Sequence, residues 1–222
     1  MSKRIKHNIL VIPDLHFPFV HKDALKFVKS VQAENDISEV VFLGDMIDNA
    51  YSSFHDSDPD GMAAGDEIKM ARKQLKAWKK QFPVAKVMRG NHDQLPNRQA
   101  FKAGLSKHWI RGIDEVYNLQ GWDFVDNYKV GRNFFTHGLG MNVIARSRAL
   151  GLNIFQGHYH SKFSCTLVTI YPEPTFAVQA GCLVDHNAYA FAYGKDGQPQ
   201  VRGCVVIKDA LGEPEILMIP MY

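Results

Sequence analysis

The feature that most constrains this chain is a unit repeated five times: a short apolar run that stops at a turn bearing Asp, Asn or His. Residues 8–13 lead into Asp14-Leu15-His16, and residues 39–43 into Gly44-Asp45-Met46-Ile47-Asp48. Residues 84–88 lead into Gly90-Asn91-His92-Asp93, residues 130–136 into His137-Gly138, and residues 152–156 into Gly157-His158-Tyr159-His160. Short apolar runs bounded by turn residues read as buried strands. Helical spacing fills the intervals. Leu25, Val28 and Val31 mark residues 22–35. Ile68, Ala71, Leu75 and Trp78 share one face of residues 66–81, opposite Lys69, Arg72, Lys73, Lys76 and Lys80, and Pro83 stops that helix. Residues 96–104 and 142–150 are shorter helices. Alternation of this kind predicts a sheet flanked by helices.

Beyond His160 the pattern changes. Residues 164–170, 175–180, 201–208 and 215–220 are strand-like, with turns at Asp196-Gly197 and residues 211–214. They are expected to be antiparallel strands completing a second sheet, giving an α/β two-sheet sandwich flanked by helices, a single domain over residues 1–222. Residues 52–65 form a long surface excursion. At 45% hydrophobic and 22% charged residues the chain can bury a real core, and a net charge of +3 demands neither a membrane nor a nucleic acid. No apolar run approaches the roughly 18 residues of a membrane span, so no membrane partner is expected. The apolar run after the basic start is too short for a leader core. Cys165, Cys182 and Cys204 are an odd count without metal-type spacing, which argues against a disulfide framework. The expectation is a cytoplasmic protein.

The strand ends of such a sheet share one edge, and ligands collect there. Five of the ten histidines fall in the five turns. In an extended chain residues i and i+2 point the same way, so Asp14 and His16, and likewise His158 and His160, are expected to face together. Converging turns would assemble Asp14, His16, Asp45, Asn91, His137, His158 and His160, enough for two ions with one carboxylate between them. Mixed nitrogen and oxygen donors without thiolate suit divalent first-row metals. Two ions roughly 3.5–4 Å apart can clamp a phosphoryl group and activate water. Two divalent ions bring +4 against −2 from Asp14 and Asp45, a centre that attracts phosphate.

The ordered set D-x-H, G-D-x-x-D, G-N-H-D, H-G and G-H-x-H resembles the calcineurin-like metallophosphoesterase superfamily. The resemblance runs from Asp14 to His160. It implies that Asp14, His16 and His160 hold one metal, that Asn91, His137 and His158 hold the other, and that Asp45 bridges them. It further implies that His92 sits beside the leaving oxygen, oriented by Asp48, and that Asn91 and His92 contact substrate. Manganese is the first expectation for both ions, with iron, zinc, cobalt, nickel or magnesium as alternatives. Asn49 stands where the protein Ser/Thr phosphatase branch has an Arg, which argues against that branch. The stretch Gln179-Ala180-Gly181-Cys182 keeps only the glycine of a further family motif. The expected activity is hydrolysis of a small phosphoester or a nucleotide-type phosphodiester. The alternatives are a nuclease using the basic helix as a track, and a non-catalytic scaffold. Arg89, Arg146 and Arg148 are candidates for phosphate contact, and of the remaining histidines His55 and His186 are those expected to face the site.

Overall fold

The computed structural model describes residues 6–54, 61–138, 140, 142–188 and 200–222. His55 and the Asp196-Gly197 turn lie outside them. The first sheet is built on β1 (Ile9–Ile12), β2 (Glu39–Phe42), β3 (Ala85–Met88) and β4 (Trp122–Val125), all parallel, in the order β1-β2-β3-β4. On the other side of β1 lie β10 (Gly203–Lys208) and β11 (Glu215–Pro220), both antiparallel to their neighbours. The second sheet has the order β5-β6-β7-β9-β8. Its parallel centre is β6 (Asn133–Thr136), β7 (Asn153–Gln156) and β9 (Thr175–Ala180), and its antiparallel edges are β5 (Asn127–Val130) and β8 (Phe163–Val168).

The unbroken apolar runs follow from this layering. Leu10, Ile12, Val40 and Phe42 face one cluster with Val28 and Val31 of α1 (Ala24–Glu34) and Ala71, Leu75 and Trp78 of α2 (Ala64–Gln81). Ile9, Val11, Val41 and Leu43 face the opposite way, against Phe135, Phe155 and Val178 of the second sheet. A strand covered on both faces needs apolar residues at every position. The outer face of the second sheet is covered by α5 (Val143–Leu150), whose Val143 packs with Ile154, Val168 and Ala177. Asn142 caps α5 by accepting from the Ile144 N–H, and Gly151 ends it in a left-handed turn. Two short helices, α3 (Leu95–Lys102) and α4 (Ile113–Tyr117), lie between β3 and β4.

Two expectations change. Residues 130–136 are not one strand: β5 ends at Val130, the chain turns at Gly131 with φ 56°, and β6 starts at Asn133. The C-terminal strands do not all complete the second sheet. β8 and β9 do, with β9 parallel to β7, but β10 and β11 extend the first. Strand periodicity says which residues face a core but not which sheet provides it. All three cysteines are free thiols: Cys182 and Cys204 are buried, and burial pushes both up to about 12, whereas Cys165 is exposed on β8.

Candidate metal centre

The turns following β1, β2, β3, β6 and β7 converge, and tight backbone geometry makes this possible. His16, Asp45, Asn49 and His158 all have left-handed backbones, with φ of 47°, 45°, 52° and 71°. Non-glycine residues hold this conformation at a cost and gather where a site requires it. Two glycines permit the close approach. A Cβ on Gly90 would overlap the Asp45 carboxylate, and one on Gly157 would overlap the Asp14 carboxylate.

Asp14, His16 and His160 form one group whose donor atoms lie within 4.8 Å of one another, and Asp45, His137 and His158 form another. In the first, His160 Nε2 lies 3.2 Å from Asp14 Oδ2. In the second, Asn91 Oδ1 is 2.9 Å from both His137 Nε2 and His158 Nδ1. Asp45 Oδ2 links the groups, 3.5 Å from His16 Nε2 and 3.2 Å from His137 Nε2. His16 and Asp45 also form a third group with His92. His158 and His160 do not share a group. The left-handed turn at His158 breaks the extended spacing that would have faced them together.

Hydrogen bonds orient several of the donors. The His137 Nδ1–H donates to the Leu43 carbonyl at 2.9 Å, which leaves Nε2 with its lone pair toward the site. His16 Nδ1 lies 2.7 Å from Asp48 Oδ1, turning its Nε2 inward as well. The His158 N–H donates to Asp14 and the His92 N–H to Asp45, both at 2.8 Å. Asp14 Oδ1 is buried and accepts no hydrogen bond. A carboxylate oxygen is costly to bury that way, and a cation would satisfy it. The donor set therefore fits divalent ions.

The charges agree. Burial would raise the Asp45 carboxyl, but His137, His92 and His16 outweigh it and hold it far below its ordinary range. Burial lowers the His137 imidazole, yet Asp45 and Asp14 lift it to about 9. Burial alone would likewise raise Asp48, and hydrogen bonds from His16 and His92 bring it to about 2. His158 is lowered, first by burial and then by His137.

His92 is half-buried at the rim. Its Nδ1–H donates to the Asp48 carbonyl at 2.8 Å and lies 3.3 Å from the Asp48 carboxylate, which itself is nearer His16. Burial lowers His92, but the Asp48 hydrogen bond and the Asp45 charge lift it to about 10. Asn91, His92, His158 and His160 reach solvent, whereas Asp14, His16, Asp45, Asp48 and His137 are buried, so the centre opens on one side.

Three buried polar residues were not assigned a role by the sequence reading. Asp93 accepts from the Ile47 N–H at 3.0 Å and the Gly90 N–H at 2.9 Å, joining the second and third turns. Asn49 donates to the His92 carbonyl at 2.9 Å, and its oxygen accepts from Tyr51 at 3.4 Å and Tyr117 at 3.3 Å. Glu67 on α2 is fully buried beneath them. Burial, then the Asp48 charge, raise it to about 7, while main-chain groups of residues 49–51 pull the other way without reaching hydrogen-bonding geometry. Spacing could have found Glu67, because 67, 71, 75 and 78 continue one helical stripe. Of the arginines, Arg89 pairs with Asp126 at the surface, Arg146 donates to the Thr136 hydroxyl, and Arg148 is exposed. His186 is half-buried and outside the donor groups.

Residues 7–165 match the sequence profile described as calcineurin-like phosphoesterase. The chain belongs to that family. The family is one of metal-dependent phosphoesterases, and the convergent donor groups agree with it. No curated protein matches this chain. Among solved structures it is similar to Vps29 of Chaetomium thermophilum, at 14% identity over 98% of this chain and 97% of that one, with a TM-score of 0.46. It is also similar to the Pseudomonas putida nuclease MPE, at 14% identity over 96% and 87%, with a TM-score of 0.44. A third similarity is to the E. coli phosphoesterase YfcE, at 16% identity over 97% and 100%, with a TM-score of 0.42. Among the described residues, no helix is long and apolar enough to cross a membrane.

Proposed function

We propose that this protein is a phosphoester hydrolase with two divalent ions, manganese first among them, and that residues 1–222 act as one domain on a small phosphoester or nucleotide-type phosphodiester. The observation that carries the reading is Asp45 Oδ2, placed between His16 and His137 so that one carboxylate serves two donor groups. Asp14, His16 and His160 would hold one ion and Asn91, His137 and His158 the other. Bound there, divalent ions supply Lewis acidity that activates water and neutralises phosphoryl oxygens.

The protein's own groups do the rest. Asn91 and His92 stand on the open side, where a phosphoryl group enters. A carbonyl oxygen only accepts, so the hydrogen bond to Asp48 puts a proton on His92 Nδ1 and leaves Nε2 to serve the leaving oxygen. Asp48 holds both His16 and His92 and keeps their orientations linked. The test is chelation followed by readdition of Mn²⁺, with a chromogenic aryl phosphate and a bis-aryl phosphate as substrates. Hydrolysis should vanish and return, and Asp45→Asn should lose both ions by elemental analysis. Absence of hydrolysis across such esters, with metal bound, would leave the scaffold reading standing instead.

A further inference from the structure

Near the open side of the centre, α3 and the segment after β2 expose large apolar side chains to solvent. The first turn of α3 is tied to the site, since the Leu95 N–H donates to the His92 carbonyl at 3.1 Å. Gln99, further along α3, donates to the Ser52 carbonyl at 3.0 Å and so anchors the segment carrying Phe54. Arg98 lies 4.9 Å and Lys102 5.4 Å from the centre of the Phe54 ring. Arg98, Phe101 and Lys102 share one helical face by spacing. Phe54 is 45% exposed and Phe101 57%, and Trp109, in the short turn packed against α3, is 86% exposed. Large exposed apolar groups clustered beside a site mark a surface that binds something.

The chemistry selects the occupant. An apolar protein face would bury Arg98 and Lys102 without counter-charge, which is costly. A nucleic-acid strand supplies phosphates for the two cations and flat faces for the rings. Bases inside a duplex are already stacked on one another, so only unpaired bases can offer their faces to these rings. Resting on the hydrolase reading above, we propose that Phe54, Arg98 and Phe101, extended by Trp109, form a stacking platform for single-stranded DNA or RNA, which is the substrate class of this centre. The start of α3 is tied to the His92 carbonyl, so bases flanking the scissile phosphate would stack along this helix. Asp56, Asp58 and Asp60 follow Phe54 in the sequence, so net charge does not drive the binding. Two cations meeting two phosphates give a shallow salt slope of about −1.4 in log–log terms.

The experiment uses a fluorescein-labelled 12-nucleotide oligothymidylate, its duplex with oligoadenylate, and bis-aryl phosphate as a small control. Anisotropy on the full chain in EDTA reads binding without hydrolysis, and Mn²⁺-loaded protein reads turnover. Wild type should bind the single strand at least tenfold more tightly than the duplex and quench Trp109 emission, Trp78 and Trp122 being buried. Phe54→Ala/Phe101→Ala should lose about tenfold or more in single-strand affinity and in kcat/KM on the oligonucleotide, with bis-aryl phosphate hydrolysis unchanged. Trp109→Ala is the second variant, should the first fail to fold, and it should likewise weaken single-strand binding in the anisotropy assay. Equal affinity in variant and wild type, or no single-strand binding by wild type, overturns the platform. So does a change of mass by light scattering in place of lost DNA binding, which would make this face a protein contact. Binding without any ester hydrolysis would keep the platform and remove the hydrolase reading.

Discussion

His92 is held at both ends: its ring by Asp48, its main-chain carbonyl by Asn49. The second grip matters because Asn49 is itself pinned by two tyrosine hydroxyls. Asn49→Gly keeps the left-handed backbone without strain and removes the side chain. It should retain full metal content, lower kcat about tenfold on alkyl esters, and change much less on aryl esters that leave without a proton. Equal losses on both ester classes would show that Asn49 does not act through His92. Leaving the tyrosine hydroxyls without their acceptor should also cost about 1–3 kcal/mol of stability. Glu67 gives a separate expectation. Its native carboxyl is raised from an ordinary 4.5 to about 7. Between those values the native state keeps a proton that the unfolded chain has released, so stability falls as pH rises through the window, by on the order of 3 kcal/mol. Glu67→Gln stays neutral throughout. Urea midpoints of chelated protein should therefore favour the variant increasingly from pH 4.5 to pH 8, and a constant difference would show that Glu67 is not protonated in the fold.

At the scale of the elements, short strands and abrupt turns do the positioning. β1, β2, β3, β6 and β7 are each four residues long and end one to three residues before a candidate donor. This is why the candidate donor groups stood out in the sequence: a buried strand writes a continuous apolar run, and a donor just past it is conspicuous. The helices α1, α2, α3 and α5 were legible to within about two residues, α2 beginning at Ala64 instead of 66, whereas the five-residue α4 was not. β4 and β5 were not legible, because Trp122, Asp123 and Phe124 alternate too briefly and Asn127–Val130 is mostly exposed. The network around Asn49 was hidden for another reason. Its members are far apart in sequence, and an Asn after an Asp reads as an ordinary turn. Gly157→Ala tests the turn geometry directly. The added methyl overlaps the Asp14 carboxylate, so metal content should fall to one ion or none. Its partner test is Gly65→Ala, where a methyl meets nothing within 4 Å and metal content should not change.

For the whole molecule, the candidate centre sits where the two sheets and the turns of five strands meet, so ions bound there would be linked to folding. A ligand that binds only the folded state stabilises it by about 2.7 kcal/mol at one hundred times its dissociation constant. Mn²⁺ added to chelated protein should raise the thermal midpoint by several degrees, and Asp45→Asn should abolish most of that rise. An unchanged midpoint in wild type would mean that the donor groups do not take up the ion. The cysteine distribution has a practical consequence of its own. Cys182 and Cys204 are sealed in the interior, and Cys165 alone faces outward, on an edge strand of the second sheet. A maleimide dye would attach at one defined address without mutagenesis, giving a fixed reference point for energy-transfer measurements of where a bound oligonucleotide begins and ends.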